Sequence, residues 1–255
     1  MLGPGRLPLG DSLLAHQDIG VDLHGMVPSR IGPRVGQVVE AILELAVGGE
    51  LLPGDRLLEA DLARDLDVSR ESVRDAFREL ESMEVIVVSP SAGVRLADVG
   101  TTRLRKMLKV RLLLEKLAAA ELRAATAEGD AIFQPLDEIV ERMRAAAADA
   151  DRPALVRLDL AFHRTLCELS GNEALVRAWD QIAAQLVVVL SLAIRRRPPE
   201  VIVASHVELL HSLRFCDCSV QLDRTLDLHA LDGLLAMNLE DFVDRLRQQR
   251  LAVPA

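Results

Sequence analysis

The sequence predicts a mostly α-helical chain, with a small N-terminal unit closed by one β-hairpin and then an antiparallel bundle of helices. Three observations carry this. Apolar residues recur at helical spacing through most of the chain. One pair of β-branched runs flanks a Ser-Pro-Ser-Ala-Gly turn at residues 89–93. No strand signal follows Thr101.

Composition sets the bounds. Of 255 residues, 50% are hydrophobic but only 2% aromatic, so the core must be built from Leu, Val, Ala and Ile. No run approaches eighteen uninterrupted apolar residues, the length of a membrane span. Residues 1–30 lack a basic start followed by a sustained apolar run, and are expected to be a disordered tail, with Met26 an alternative start. Residues 250–255 read as a C-terminal tail. The cysteines, Cys167, Cys216 and Cys218, are odd in number and lack a disulfide spacing, which predicts reduced thiols in a cytoplasmic protein. A net charge of −9 argues against a general affinity for polyanions, so any nucleic-acid binding must come from a local patch.

In residues 31–98, Pro33–Val47 has a helical apolar period with Pro at its start. The stretch "GGELLPGDRLL" is a Gly/Pro turn region. Glu59–Leu66 is a short helix, "LDVS" is a turn, and Ser69 is a suitable N-cap for the next helix. That helix runs to about Met83, with Val73, Ala76, Phe77 and Leu80 forming one apolar stripe. "VIVVSPSAGVRLAD" is the hairpin.

Arg70, Arg74 and Arg78 recur every fourth residue on the second of these helices, a spacing at which like charges repel. An ordinary solvated face would neutralise them with Glu71, Asp75, Glu79 and Glu81. The context points elsewhere. A short helix, a tight turn, a Ser-capped helix and a hairpin form a winged helix-turn-helix, whose second helix enters the DNA major groove. Phosphates then supply the counter-charge, and an arginine fork near the helix start can read guanine. The expected DNA-contacting residues are Ser69, Arg70, Glu71, Ser72 and Arg74, with Gly93 and Arg95 in the wing.

The segment "LLPGDRLLEADLARDLDVSRESVRDAFRELESMEVIVVSPSAGVRLAD" resembles the DNA-binding domain of the GntR family of bacterial transcriptional regulators. Pro53-Gly54, Leu57, Glu59, Leu62-Ala63, Val68-Ser69-Arg70, Val73-Arg74, Ala76, Leu80 and Gly93 carry the likeness. The resemblance implies operator reading by Arg70 and Arg74, helped by the wing. Glu71-Ser72 stands where Thr-Pro is common, and Ala60 where many members carry a basic contact. Asp67 and Glu84 each replace a usual turn glycine. Residues 27–100 hold 8 basic and 14 acidic side chains, a balance of −6. Binding is therefore expected to need two subunits and to fall readily with salt.

From Thr101 the helical period returns in seven segments, at 101–126, 131–149, 152–170, 172–195, 198–214, 217–231 and 234–249, joined by short breaks. This is an antiparallel bundle occupying 101–249. Asp159 and His163 are four apart and project from one helix face, a spacing at which two side chains share a metal or simply a hydrogen bond. His206 and His229 lie on later apolar helices. One carboxylate and three imidazoles turned inward suit Zn²⁺, Ni²⁺ or Mn²⁺.

This half resembles the FadR-type (FCD) effector domain usually fused to that DNA-binding domain. Its markers are Asp159-x-x-Phe162-His163, Ser170-Gly171-Asn172 and Arg111-x-x-x-Glu115. The resemblance implies metal ligation by Asp159, His163, His206 and His229, with the spacing before His229 one residue longer than usual. It also implies an open metal position for a small carboxylate effector, a hydroxy acid or sugar acid. Arg111 would hold the carboxylate and Asn172 a hydroxyl. The plainer alternatives are an Arg111–Glu115 ion pair and a helix cap at Asn172. His211, five residues past His206, points elsewhere and is expected at the surface. Another branch of the domain binds acyl chains without metal, which the apolar run Ile182–Ile194 would suit, as would a buried helix. The single E-x-x-H at Glu208–His211 falls short of a di-iron bundle enzyme, and neither a P-loop nor G-x-G-x-x-G occurs. The expectation is a non-enzymatic, ligand-responsive repressor acting as a homodimer on operator DNA.

Overall fold

The computed structural model describes residues 31–98, 100–125, 130–215 and 239–252. Among these, one compact unit holds the residues up to Gly100 with 184–192 and 239–252, and the other holds 101–183 and 193–215.

In the first unit α1 (Pro33–Gly48) begins with Pro in its first turn and ends at Gly49, whose φ of 72° a side chain would resist. α2 (Glu59–Asp65) and α3 (Arg70–Ser82) follow. The apolar stripe of α3 is buried as its period predicts: Val73, Ala76, Phe77 and Leu80 pack with α1, whose Val38, Val39, Ile42 and Leu43 are fully enclosed. Truncating a side chain as enclosed as Leu80 costs about 2–5 kcal/mol.

β2 (Ile86–Ser89) and β3 (Gly93–Leu96) form the expected hairpin. The turn region before α2 needs a correction. It contains a strand, β1 (Arg56–Leu57), whose residues pair antiparallel with Arg95 and Val94, giving a three-stranded sheet of order β1-β3-β2. Two residues carry no alternation to detect; the free edge of β3 creates this strand.

α2 and α3 both end in a left-handed residue that is not glycine, Asp67 at φ 51° and Glu84 at φ 56°. The backbone bonds Val68 N to Ala63 O at 3.0 Å and Val85 N to Leu80 O at 2.9 Å close each end. These are the two positions where the sequence departs from the family's glycines. The last helix of the unit, α9 (Leu239–Ala252), sends Arg247 to the carbonyl of Pro53, with Asp55 3.8 Å away.

The second unit contains α4 (Thr101–Ala125), a 3₁₀ turn (Asp130–Phe133), α5 (Gln134–Ala148), α6 (Arg152–Leu169), the ends of α7 (Glu173–Arg196), and α8 (Pro199–Phe215). Asp151 caps α6 by accepting from Ala154 N at 2.9 Å. α6 is the central element, enclosed at Ala154–Leu160, Phe162, His163, Leu166 and Cys167, and packed against α4 and α5. α7 is long and apolar enough to cross a membrane, yet 61% of its most apolar eighteen-residue window is buried inside the protein. The helix expected at 217–231 lies outside the described residues.

Candidate DNA-reading surface and metal centre

At the start of α3, Ser69 has extended backbone and its Oγ accepts from Ser72 N at 3.0 Å, as an N-cap does. The Oγ atoms of Ser69 and Ser72 lie 2.9 Å apart. Glu71 sits in the first turn, where the helix dipole favours a negative charge. Arg70 and Glu71 are exposed, and Arg70 makes no ion pair or hydrogen bond among the described residues. Arg74 is 58% exposed but engaged, its Nε donating to Glu59 Oε2 of α2 at 3.1 Å. Arg78 Nη2 reaches Asp75 Oδ1 at 2.5 Å. The stripe is thus on the surface, and acids neutralise two of its three members. One of those acids, Glu59, stands fifteen residues away, where a helical wheel of α3 alone cannot find it. In the wing, Arg95 Nη1 donates to Gly54 O at 2.7 Å, and Gly93 has φ 73°, which only glycine adopts readily.

The bundle brings five polar side chains into one buried group: Arg111, Glu115, Asp159, His163 and His206 are all 6% exposed or less. α6 supplies Asp159 and His163 one turn apart, α8 supplies His206, and α4 supplies Arg111 and Glu115. One ligand atom from each of Asp159, His163 and His206 lies within 4.8 Å of the others. Arg111 Nε donates to Glu115 Oε1 at 2.6 Å, and Arg111 Nη2 is 3.6 Å from Asp159 Oδ2. His163 Nδ1 is 3.0 Å from Glu115 Oε1, within ion-pair range but off the line of a good hydrogen bond. Phe162 sets its edge against both imidazoles, at centroid distances of 5.3 and 5.0 Å. Trp179 lies 5.9 Å from His163 and under the Arg111 guanidinium.

The electrostatics are those of a ligand site. Burial favours a neutral Asp159, but Arg111 and the hydrogen-bonding His206 outweigh it and hold the carboxyl well below the usual carboxylate range. Glu115 is likewise lowered, burial being overcome first by Arg111. Burial and then Arg111 push His163 down, so it is a neutral imidazole, the form a metal takes. His206 Nδ1 is 2.8 Å from the carbonyl of Ile202, which can only accept. The ring therefore donates from Nδ1 there, and its Nε2 faces Asp159 Oδ1, 3.3 Å away. What joins that nitrogen to the carboxylate is positive, a proton or a metal ion. Asp159 Oδ2 and Glu115 Oε2 also lack a hydrogen bond among the described residues. This donor set fits a borderline divalent ion.

Other candidate residues lie apart from this group. Asn172 is the N-cap of α7: its Oδ1 accepts from Ala174 N and Leu175 N, each at 3.1 Å, and its Nδ2 donates to the Glu121 carboxylate at 3.0 and 3.1 Å. Its polar atoms are engaged there, in the plainer of the two roles the sequence allowed. His211 is exposed and tilts against Phe215 at 4.9 Å. Cys167 is a buried free thiol, its pKa pushed up by burial and then by Glu115. His229, Cys216 and Cys218 lie outside the described residues. Trp179, which no motif singled out, is found only from its burial against the cluster.

A capped reading helix with a wing, followed by a helical bundle enclosing a ligand-ready polar group, defines a DNA-binding regulator. Residues 34–96 match the family described as bacterial regulatory proteins, gntR family, and residues 106–217 match the FCD domain, together roughly two thirds of the chain. The chain belongs to the GntR family of transcriptional regulators and carries an FCD effector-binding domain; it is a regulator and not an enzyme. It is 25% identical over 185 residues to the "Probable D-xylose utilization operon transcriptional repressor" of Paenarthrobacter nicotinovorans, covering 71% of this chain and 79% of that one. It is 28% identical over 154 residues to the HTH-type transcriptional regulator LutR of Bacillus subtilis, covering 54% and 68%. The solved structure of E. coli McbR/YncC shares the fold, with a TM-score of 0.66 at 20% identity over 85% of this chain and all of that one.

Proposed function

We propose that the chain is a ligand-responsive repressor that binds a two-fold operator as a homodimer. Residues 31–98 form the reader and residues 101–249 the sensor and dimerisation domain. Asp159, His163 and His206, with His229, hold one divalent ion, Zn²⁺, Ni²⁺ or Mn²⁺. When bound, the ion supplies a Lewis-acid position for the carboxylate of a small hydroxy acid or sugar acid. Arg111 adds charge beside that carboxylate; Asn172 is left to cap its helix. The observation that supports this reading is the convergence of one ligand atom each from Asp159, His163 and His206 to within 4.8 Å of one another in a sealed group. The acyl-chain alternative draws no comparable support, because the run Ile182–Ile194 is mostly buried core.

The test has two arms. Protein purified without a histidine tag carries about one ion per chain. Arg70→Ala loses its preference for a duplex selected from a random pool by the wild-type protein, while its melting is unchanged. A tag-free protein devoid of metal after loading refutes the site. An Arg70→Ala variant that still prefers the selected duplex refutes the reader.

A further inference from the structure

Residues 31–98 contain seven arginines and no lysine. Five are engaged: Arg34 with Gln37, Arg64 with Asp61 and Asp65, Arg74 with Glu59, Arg78 with Asp75, and Arg95 with the Gly54 carbonyl. Arg70 and Arg56 alone make neither an ion pair nor a hydrogen bond among the described residues. Arg70 opens the reading helix. Arg56 lies on β1, the strand that the sequence does not announce.

The sheet explains where the Arg56 charge goes. Arg56 pairs directly with Arg95, and Arg95 with Val87, so the three form one row across the sheet, each of them exposed. Like charges directly opposite on antiparallel strands destabilise the pair. Two residues along β3 from Arg95, on the same face, stands Gly93. A Cβ there would meet Arg56 Nε at 3.2 Å and Nη2 at 3.3 Å. The missing side chain thus leaves a seat at the wing tip, and the Arg56 guanidinium occupies it. Arg56 also shares a groove of ≈ 410 Å³ with Arg74 and Arg78 of α3, Glu59 and Glu81. The wing tip and the reading helix therefore present cations side by side, and at the tip no acid answers the charge.

We propose that Arg56 is a further DNA-contacting residue of the reader, delivered over Gly93 to bind backbone phosphate beside the groove that α3 enters. This gives Gly93 a second role besides its left-handed backbone. The proposal rests on the DNA-reading assignment, and phosphate, common to every sequence, is the ligand that an isolated guanidinium on an open strand suits.

The experiment titrates wild type, Arg56→Gln, Arg56→Lys and Arg70→Ala against the duplex selected by wild type and a scrambled duplex, across a salt series. Arg56→Gln should weaken both duplexes by the same factor, about fivefold. The slope of log affinity against log salt should become shallower by about 0.9 per bound chain. Arg56→Lys should restore most of the affinity and the slope. Unchanged affinity and slope in Arg56→Gln, with Arg70→Ala losing its preference, overturns the Arg56 contact and leaves the reader standing. If Arg70→Ala also binds as wild type does, the reader assignment falls and this contact with it.

Discussion

Removing and replacing the ion proposed for the bundle should move the melting of this protein by an amount that can be worked out. Arg111 contributes one positive charge to the buried group, Glu115 and Asp159 one negative charge each, and His163 is neutral, leaving these four at −1 in a site sealed from water. Chelation should therefore cost stability that Zn²⁺ restores. At a hundred times its Kd, a ligand bound only by the folded state adds about 2.7 kcal/mol. For a chain of this length that corresponds to a rise of about 5–11 °C in Tm. Asp159→Asn keeps the shape and removes one ligand charge, so it should bind little metal and show almost no rise. Its metal-free form should melt slightly below metal-free wild type, because Arg111 loses a partner at 3.6 Å while keeping Glu115 at 2.6 Å. The assay is a thermal melt followed by helical circular dichroism, with elemental analysis of each sample. Wild type melting identically with and without metal would rule out the metal site, as would full loading of Asp159→Asn.

Three other outcomes follow from particular contacts. Glu59→Gln should tighten DNA binding about threefold, since Arg74 then reaches phosphate without leaving an acid at 3.1 Å, and unchanged anisotropy titrations would show that this pair does not compete with DNA. Glu84→Gly and Ala150→Gly, the latter at a φ of 54° just past α5, should each raise stability by about 0.5–1 kcal/mol in denaturant melts, the left-handed cost of about 1–2 kcal/mol being partly offset by glycine's freer unfolded chain; a loss of stability in both would contradict the strain. Asn172→Ala should destabilise the bundle by about 1–2 kcal/mol through its lost cap, yet leave metal content intact, and a metal-depleted but equally stable variant would reverse that assignment.

What the sequence revealed tracks how local the determining physics is. The stripe on α3, the Ser69 cap and the hairpin were legible because each depends on residues within one element. Asp159 and His163 were legible for the same reason, being one helical turn apart, and Arg111 and Glu115 repeat that spacing on α4. His206 joins them only through the packing of α8, so its histidine identity, and the family likeness, did the work that periodicity could not. β1 was invisible because its partner lies some forty residues downstream. Glu59 was invisible as the partner of Arg74 because the two sit on different helices. Asn172 was legible in type but ambiguous in role: an Asn before a helix is a cap wherever its side chain folds back, and here Glu121 on α4 holds the amide.

The acidic balance of the reader then acquires a mechanical meaning. A face with many free arginines binds any duplex, since phosphate contacts carry no sequence. Here the acids answer Arg64, Arg74 and Arg78, and a carbonyl holds Arg95, so each must exchange a partner in cis before it can serve DNA. The two arginines left open are at the start of α3 and over Gly93 at the end of the wing. Under the proposed reading, encounter would fall to Arg70 and Arg56, and the paired arginines would commit only when the groove offers enough to displace Glu59 and Asp75. Such an arrangement lowers the affinity for random DNA more than the affinity for the right site. It therefore predicts that replacing Glu59 and Asp75 together by their amides tightens scrambled duplex by a larger factor than selected duplex, and equal factors on both would show that the acids tune affinity without discriminating.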